Sequence, residues 1–231
     1  MKRRALASLA LAVVAIMAVA SVPLLALGDD GRATSCPDSP QMPDGQISAV
    51  EFHDLWRALW EDHVWYTREA IIDILTQSPS TNATIDRLIM VANETREMMR
   101  PFYGDQVDDF YPELVGHFAI AAQIVAGARD GANVTGLIND WFDNARNMTI
   151  LMNRMNPNFW GISEVNAMWN EHLNLTIQET LQYLMGQYAE SIATFDLIEA
   201  QGLEMADMFS NGIMCQFPDR FTDLSCITML R

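Results

Sequence analysis

Beyond its second residue the chain has no lysine, it has three cysteines in all, and it contains no glycine-rich phosphate loop, no G-x-S-x-G and no C-x-x-C. Each absence removes a class of chemistry. Without a loop of backbone amides to cradle phosphates, nucleotide chemistry has no seat. Without a nucleophile elbow, and with no serine placed where a histidine would serve as its base, hydrolytic acyl transfer has little support. Without paired cysteines, a dithiol redox motif or zinc knuckle is set aside. Positive charge is scarce as well: beyond Gly28, 11 arginines face 30 aspartates and glutamates. Nucleic acid and anionic lipid are therefore poor partners, and the acidic surface is expected to be solvated, with collection of cations as the sharper alternative.

What is present begins at the N-terminus. Lys2, Arg3 and Arg4 precede an uncharged apolar run from Ala5 to Gly28. Basic residues stay on the cytoplasmic side, so this leader directs the rest of the chain outward, to the cell surface or beyond. The run suits either of two fates. At 24 residues it is long enough for a retained signal anchor, which would leave four residues inside and use the membrane as its partner. Small residues at Ala18, Ala20 and Gly28 equally permit cleavage and secretion. Five N-x-T sequons, at Asn82, Asn93, Asn133, Asn147 and Asn174, are glycosylation candidates that agree with export, Asn174 being doubtful because it lies inside a helix that packing would cover. In an oxidising exterior, Cys36, Cys215 and Cys226 suggest one disulfide and one remaining thiol; a short Cys215–Cys226 loop and a staple from Cys36 to either are all open.

Residues 29–45, with Pro37, Pro40, Pro43, Gly31 and Gly45, form a stalk, and 46–221 form one folded domain followed by a tail, 222–231. The apolar period within the domain is helical throughout and β-branched alternation is absent. Helices are expected over about 46–77, 83–99 (stopping before Pro101), 105–129, 134–154, 163–185 and 188–214. The short connections imply an all-α, antiparallel up-and-down bundle of five to six helices. The segment 59–67 of the first helix echoes 168–176 of the fifth, and 114–118 of the third is a fainter copy, which suggests duplication of a helical hairpin.

The echo places His63, His117 and His172 at the middles of three long helices, each on an apolar stripe, so the imidazoles are expected in one layer. Glu113 lies one turn before His117, and Asp140, Asp143, Asn144, Asp196 and Glu199 lie at similar heights on the fourth and sixth helices. Three histidines and a carboxylate, drawn from Glu113, Asp140, Asp143 or Glu199, suit a transition metal, Zn, Fe or Cu, in a bundle core. The competing expectation is a set of neutral, structural imidazoles bonded to Thr or Asn side chains one turn away, such as Thr67 and Thr176. The absence of Glu-x-x-His on two helices and of H-E-x-x-H favours the structural alternative. His53 is expected at the rim. Met148, Met152, Met155, Met205 and Met208 are expected to fill the core rather than bind copper.

The segments Leu59–Arg68, Arg100–Asp105, Glu171-His172-Leu173, Met205-Ala206-Asp207 and Gln216–Phe221 resemble, in this order, an uncharacterised family of small helical proteins carrying L-W-E-x-H-V-x-W-T-R, R-P-Y/F-Y-G, E-H-L, M-A-D and Q-F-P-x-x-F. The resemblance covers nearly the whole domain. This chain departs from it by reading Trp65-Tyr66-Thr67-Arg68 at the W-T-R and by adding the leader, sequons and cysteines. Members are sometimes labelled acetylglutamate kinase, an activity that needs an α/β sheet and a phosphate loop; the resemblance implies a helical fold and no mechanism. The sequence thus leads to an extracytoplasmic acidic bundle, more a binding or structural module for an unknown protein or small ligand than an enzyme. A metal-storing or redox bundle is the alternative.

Overall fold

In the computed structural model the described residues are 46–224. The leader, the stalk, most of the C-terminal tail, Cys36 and Cys226 lie outside them.

Six helices account for almost all of the described chain: α1 (Ala49–Thr76), α2 (Thr81–Tyr103), α3 (Val107–Arg129), α4 (Thr135–Met155), α5 (Ile162–Leu184) and α6 (Tyr188–Gln216). The connections are three to six residues long, so each helix folds back on its predecessor. Each packs on the next, α6 closes back on α1, and α1 also touches α3 and α5, which makes it the most enclosed of the six. The only strands among the described residues are β1 (Ile47–Ser48) and β2 (Phe221–Thr222), a two-residue parallel ladder that ties the start of α1 to the segment after α6.

Local chemistry sets the ends. The Ser48 hydroxyl accepts from the Glu51 amide to cap α1, whose last turn closes on Gln77 in the left-handed region at φ 55°. Gly131 and Gly186, at φ 69° and 75°, make the turns after α3 and α5 that a side chain would strain. The expected stop before Pro101 is overturned: α2 continues through that residue to Tyr103. A proline in a last turn loses one amide bond but clashes only with the turn behind it, and burial of Met99 and Tyr103 against the core outweighs that loss.

The core is aromatic and methionine-rich. Trp56, Trp160 and Trp169 are fully or almost fully buried beside Phe110, Phe209, Met99, Met148, Met152 and Met205. Two glycines on α6 allow close approach. A β-carbon on Gly202 would press on Val64 of α1 at 2.9 Å, and one on Gly212 would overlap the Trp160 indole. Phe52, Trp56, Leu59, His63, Ala70 and Ile74 form the inner stripe of α1 and are all buried; Tyr66 is half-buried. Among the described residues no helix is long and apolar enough to cross a membrane.

Candidate histidine layer in the bundle core

The middles of α1, α3 and α5 converge, and His63, His117 and His172 are all buried there. Two of the rings meet directly. His63 Nε2 and His172 Nε2 are 3.4 Å apart. His117 stands beside this pair next to Trp169, whose ring centroid is 5.5 Å from its own.

The proton positions follow from the amides behind the rings. On α4, Asn144 directs its Nδ2 at the Glu113 backbone oxygen (3.0 Å) and at Glu113 Oε2 (2.7 Å), both acceptors. Its Oδ1 therefore faces His117 Nδ1 at 2.8 Å, and that nitrogen must donate. On α6, Gln201 donates from Nε2 to the Met168 carbonyl (3.1 Å), so its Oε1 accepts from His172 Nδ1 at 2.9 Å. Both neutral rings then carry their lone pair on Nε2. His172 spends its lone pair on His63 Nε2–H. His117 Nε2 is buried without a hydrogen-bond partner.

Burial dominates the charge state. It pushes the His117 imidazole down to about 3 and that of His172 to about 4, against the raising effect of the Asn144 and Gln201 bonds. His63 is held well below its ordinary value by burial and then by its two histidine neighbours. All three are neutral at ordinary pH. Trp60 stands edge-on to His63 and His172, with centroids at 5.2 and 5.9 Å, and Phe118 stacks on His63 at 5.1 Å. A cavity of about 20 Å³, room for roughly one water, is lined by His63, Trp56, Trp60, Thr95 and Trp169.

The expected layer is therefore present, but its partners differ from those expected. Thr176 donates to the His172 carbonyl rather than to an imidazole, and the Thr67 hydroxyl is buried without a partner. A threonine on the same helix reaches the backbone of the preceding turn more easily than a ring that points inward. The partners come instead from the neighbouring helices, Asn144 and Gln201. Of the carboxylates, Glu113 reaches the layer only through Asn144. Asp140 and Asp143 are exposed, with Asp143 paired to Arg146 at 3.4 Å. Asp196 is exposed, and Glu199 accepts from the Trp65 indole on the outside of the bundle at 3.2 Å. Among the described residues no three His, Cys, Asp or Glu side chains stand close enough to hold one metal ion together. His53 is at the rim, bonded to Asp207 at 2.8 Å.

A second buried polar cluster is not evident from the sequence. Arg68, five residues beyond His63, forms an ion pair with Glu179, seven beyond His172, and reaches Ser191 on α6. Its guanidinium lies 4.9 Å from the centre of the Phe195 ring. Burial pushes the Glu179 carboxyl up to about 7 despite the arginine. The only signal in the sequence is a lone Arg and a lone Glu on otherwise apolar faces.

All five sequon asparagines, Asn174 included, are exposed. Four of the sequon threonines, Thr84, Thr95, Thr149 and Thr176, are buried, and all four bond the carbonyl four residues back. Cys215 on α6 is half-buried with no disulfide among the described residues. No family model, curated protein or solved structure matches the chain.

Proposed function

We propose that the protein is an exported acidic bundle, tethered at the cell surface or secreted, that works as a non-catalytic binding or structural module through its outer face. The observation that carries this reading is the separation of inside from outside. Three of the four histidines, His63, His117 and His172, are buried together with Glu179, whereas the sequon asparagines and most of the carboxylates face solvent. A general base must come within hydrogen-bond reach of a substrate proton, and the cavity beside His63 has room for about one water. The leader, with Lys2, Arg3 and Arg4 ahead of an uncharged apolar run, supports export.

Expression of the full chain in a secretion-competent host tests this. The expected result is recovery on the cell surface or in the medium, with an intact mass above that of the polypeptide through added glycan and an N-terminus at residue 1 if anchored, or near 21 or 29 if cleaved. A full-length, unmodified protein confined to the cytoplasm would contradict it.

A further inference from the structure

We propose that His63 and His172 form a two-nitrogen site for a monovalent soft metal ion, Cu(I) or its analogue Ag(I), held between α1 and α5. The site goes beyond the reading of the outer face and does not depend on where the chain is delivered.

The two Nε2 atoms face each other at 3.4 Å. An ion with metal–nitrogen bonds of about 2.0 Å placed between them would subtend an angle of about 115°. Opening that angle toward linear needs the rings to part by at most about 0.6 Å at the same bond length. The orientation of His172 already suits a ligand: Gln201, itself anchored on the Met168 carbonyl, holds its proton on Nδ1 and presents the Nε2 lone pair. An outer partner of this kind on the far ring nitrogen is how metal-binding imidazoles are oriented. His63 borders the cavity of about 20 Å³, which gives its ring room to move.

The surroundings select the ion. No third His, Cys, Asp or Glu among the described residues stands close enough to join the pair, so the site suits an ion content with two ligands, as d¹⁰ Cu(I) is and Mg(II), Fe(II) and Zn(II) are not. Trp60 and Phe118 wall the pair, and no carboxylate among the described residues touches either ring. A divalent ion would carry two uncompensated charges into that apolar space, and a monovalent one carries one. Binding needs no net proton release. Before the ion enters, His63 Nε2–H donates to His172 Nε2. The ion takes both Nε2 lone pairs, the His63 proton moves to Nδ1, and both rings stay neutral.

The test uses the full chain carrying Cys36→Ser, Cys215→Ser and Cys226→Ser, which removes competing thiolates. It is titrated anaerobically with Cu(I) against bicinchoninate and then studied by X-ray absorption. The proposal expects one equivalent bound, two imidazole nitrogens and no sulfur around the copper, at least a tenfold loss of affinity in His63→Gln and in His172→Gln, and no change in His53→Gln. Uptake below a tenth of an equivalent, methionine sulfur around the copper, unchanged affinity in both core variants, or Zn(II) held as tightly would overturn it. If circular dichroism shows that a core variant has not folded, the scattering shell of the thiol-free protein decides alone.

Discussion

Two polar clusters buried in this bundle share helices α1, α5 and α6, the histidine layer drawing also on α3 and α4, and they handle burial in opposite ways. The histidine layer stays neutral: an amide from α6, or from α4 in the case of His117, fixes the proton on one nitrogen, and the rings pack like aromatics. The cluster beyond it keeps a charged arginine, supplied with Glu179, the Ser191 hydroxyl and the face of Phe195. A neutral imidazole can be buried for little more than the desolvation of one or two polar atoms, so His117 Nε2 can go without a partner. A guanidinium has no neutral form to retreat to, so everything around it must answer its charge.

Removing one partner at each cluster should therefore have unequal effects. Arg68→Met leaves the Glu179 carboxyl buried alone and is expected to cost about 3–5 kcal/mol in urea unfolding, whereas Arg68→Met with Glu179→Leu should recover most of that loss. If the double variant is no more stable than the single one, the ion pair is not what the cluster is built around. Asn144→Ala strips the acceptor from His117 Nδ1 and the donor from Glu113, and is expected to cost about 1–3 kcal/mol by the same measurement. At the rim, Asp207 meets Arg57 and His53 where all three are partly exposed, and Asp207→Ala should change stability by less than about 1 kcal/mol.

The clusters also oppose each other in pH. The histidines have folded values below the ordinary 6.5, so the unfolded chain binds more protons between the two. Their contribution is complete above about pH 6.5 and is lost as pH falls toward 4 and 3. Glu179 is raised to about 7, so its contribution is complete below its unfolded value of 4.5 and is lost as pH rises toward 7. Three groups outweigh one. Stability should climb from pH 4.5 to 6.5, and Glu179→Gln should steepen the climb by removing the opposing slope. Urea midpoints across that range check both signs.

Much of this fold is legible in the sequence. Apolar period, prolines and glycines locate six helices to within a few residues, and the echo between 59–67 and 168–176 anticipates that His63 and His172 share a layer. Period shows which face of a helix turns inward, and two inward residues at mid-height on adjacent helices have few places to go. What it does not carry is the partner. Gln201 gives no signal, because a glutamine in mid-helix is ordinarily a surface residue, and only the packing of α6 on α5 makes it the acceptor for His172. Asn144 has the right height, but its role depends on Glu113 orienting it. The carboxylates Asp140 and Asp143 share that height and face solvent, since height along a helix says nothing of azimuth. The sequon threonines show the same limit: a pattern of exposed Asn and buried Thr two residues on also arises from a helix that seats threonine hydroxyls on the preceding turn.

The central claim is that the imidazoles are sealed in the core as neutral rings with assigned protons. Long-range proton–nitrogen NMR of the histidine side chains from pH 8 to 5 tests it most directly. The account predicts that His117 and His172 stay in the Nδ1–H form with unchanged shifts throughout. Protonation of His117 or His172 with a midpoint near 6.5 in the folded protein would contradict it.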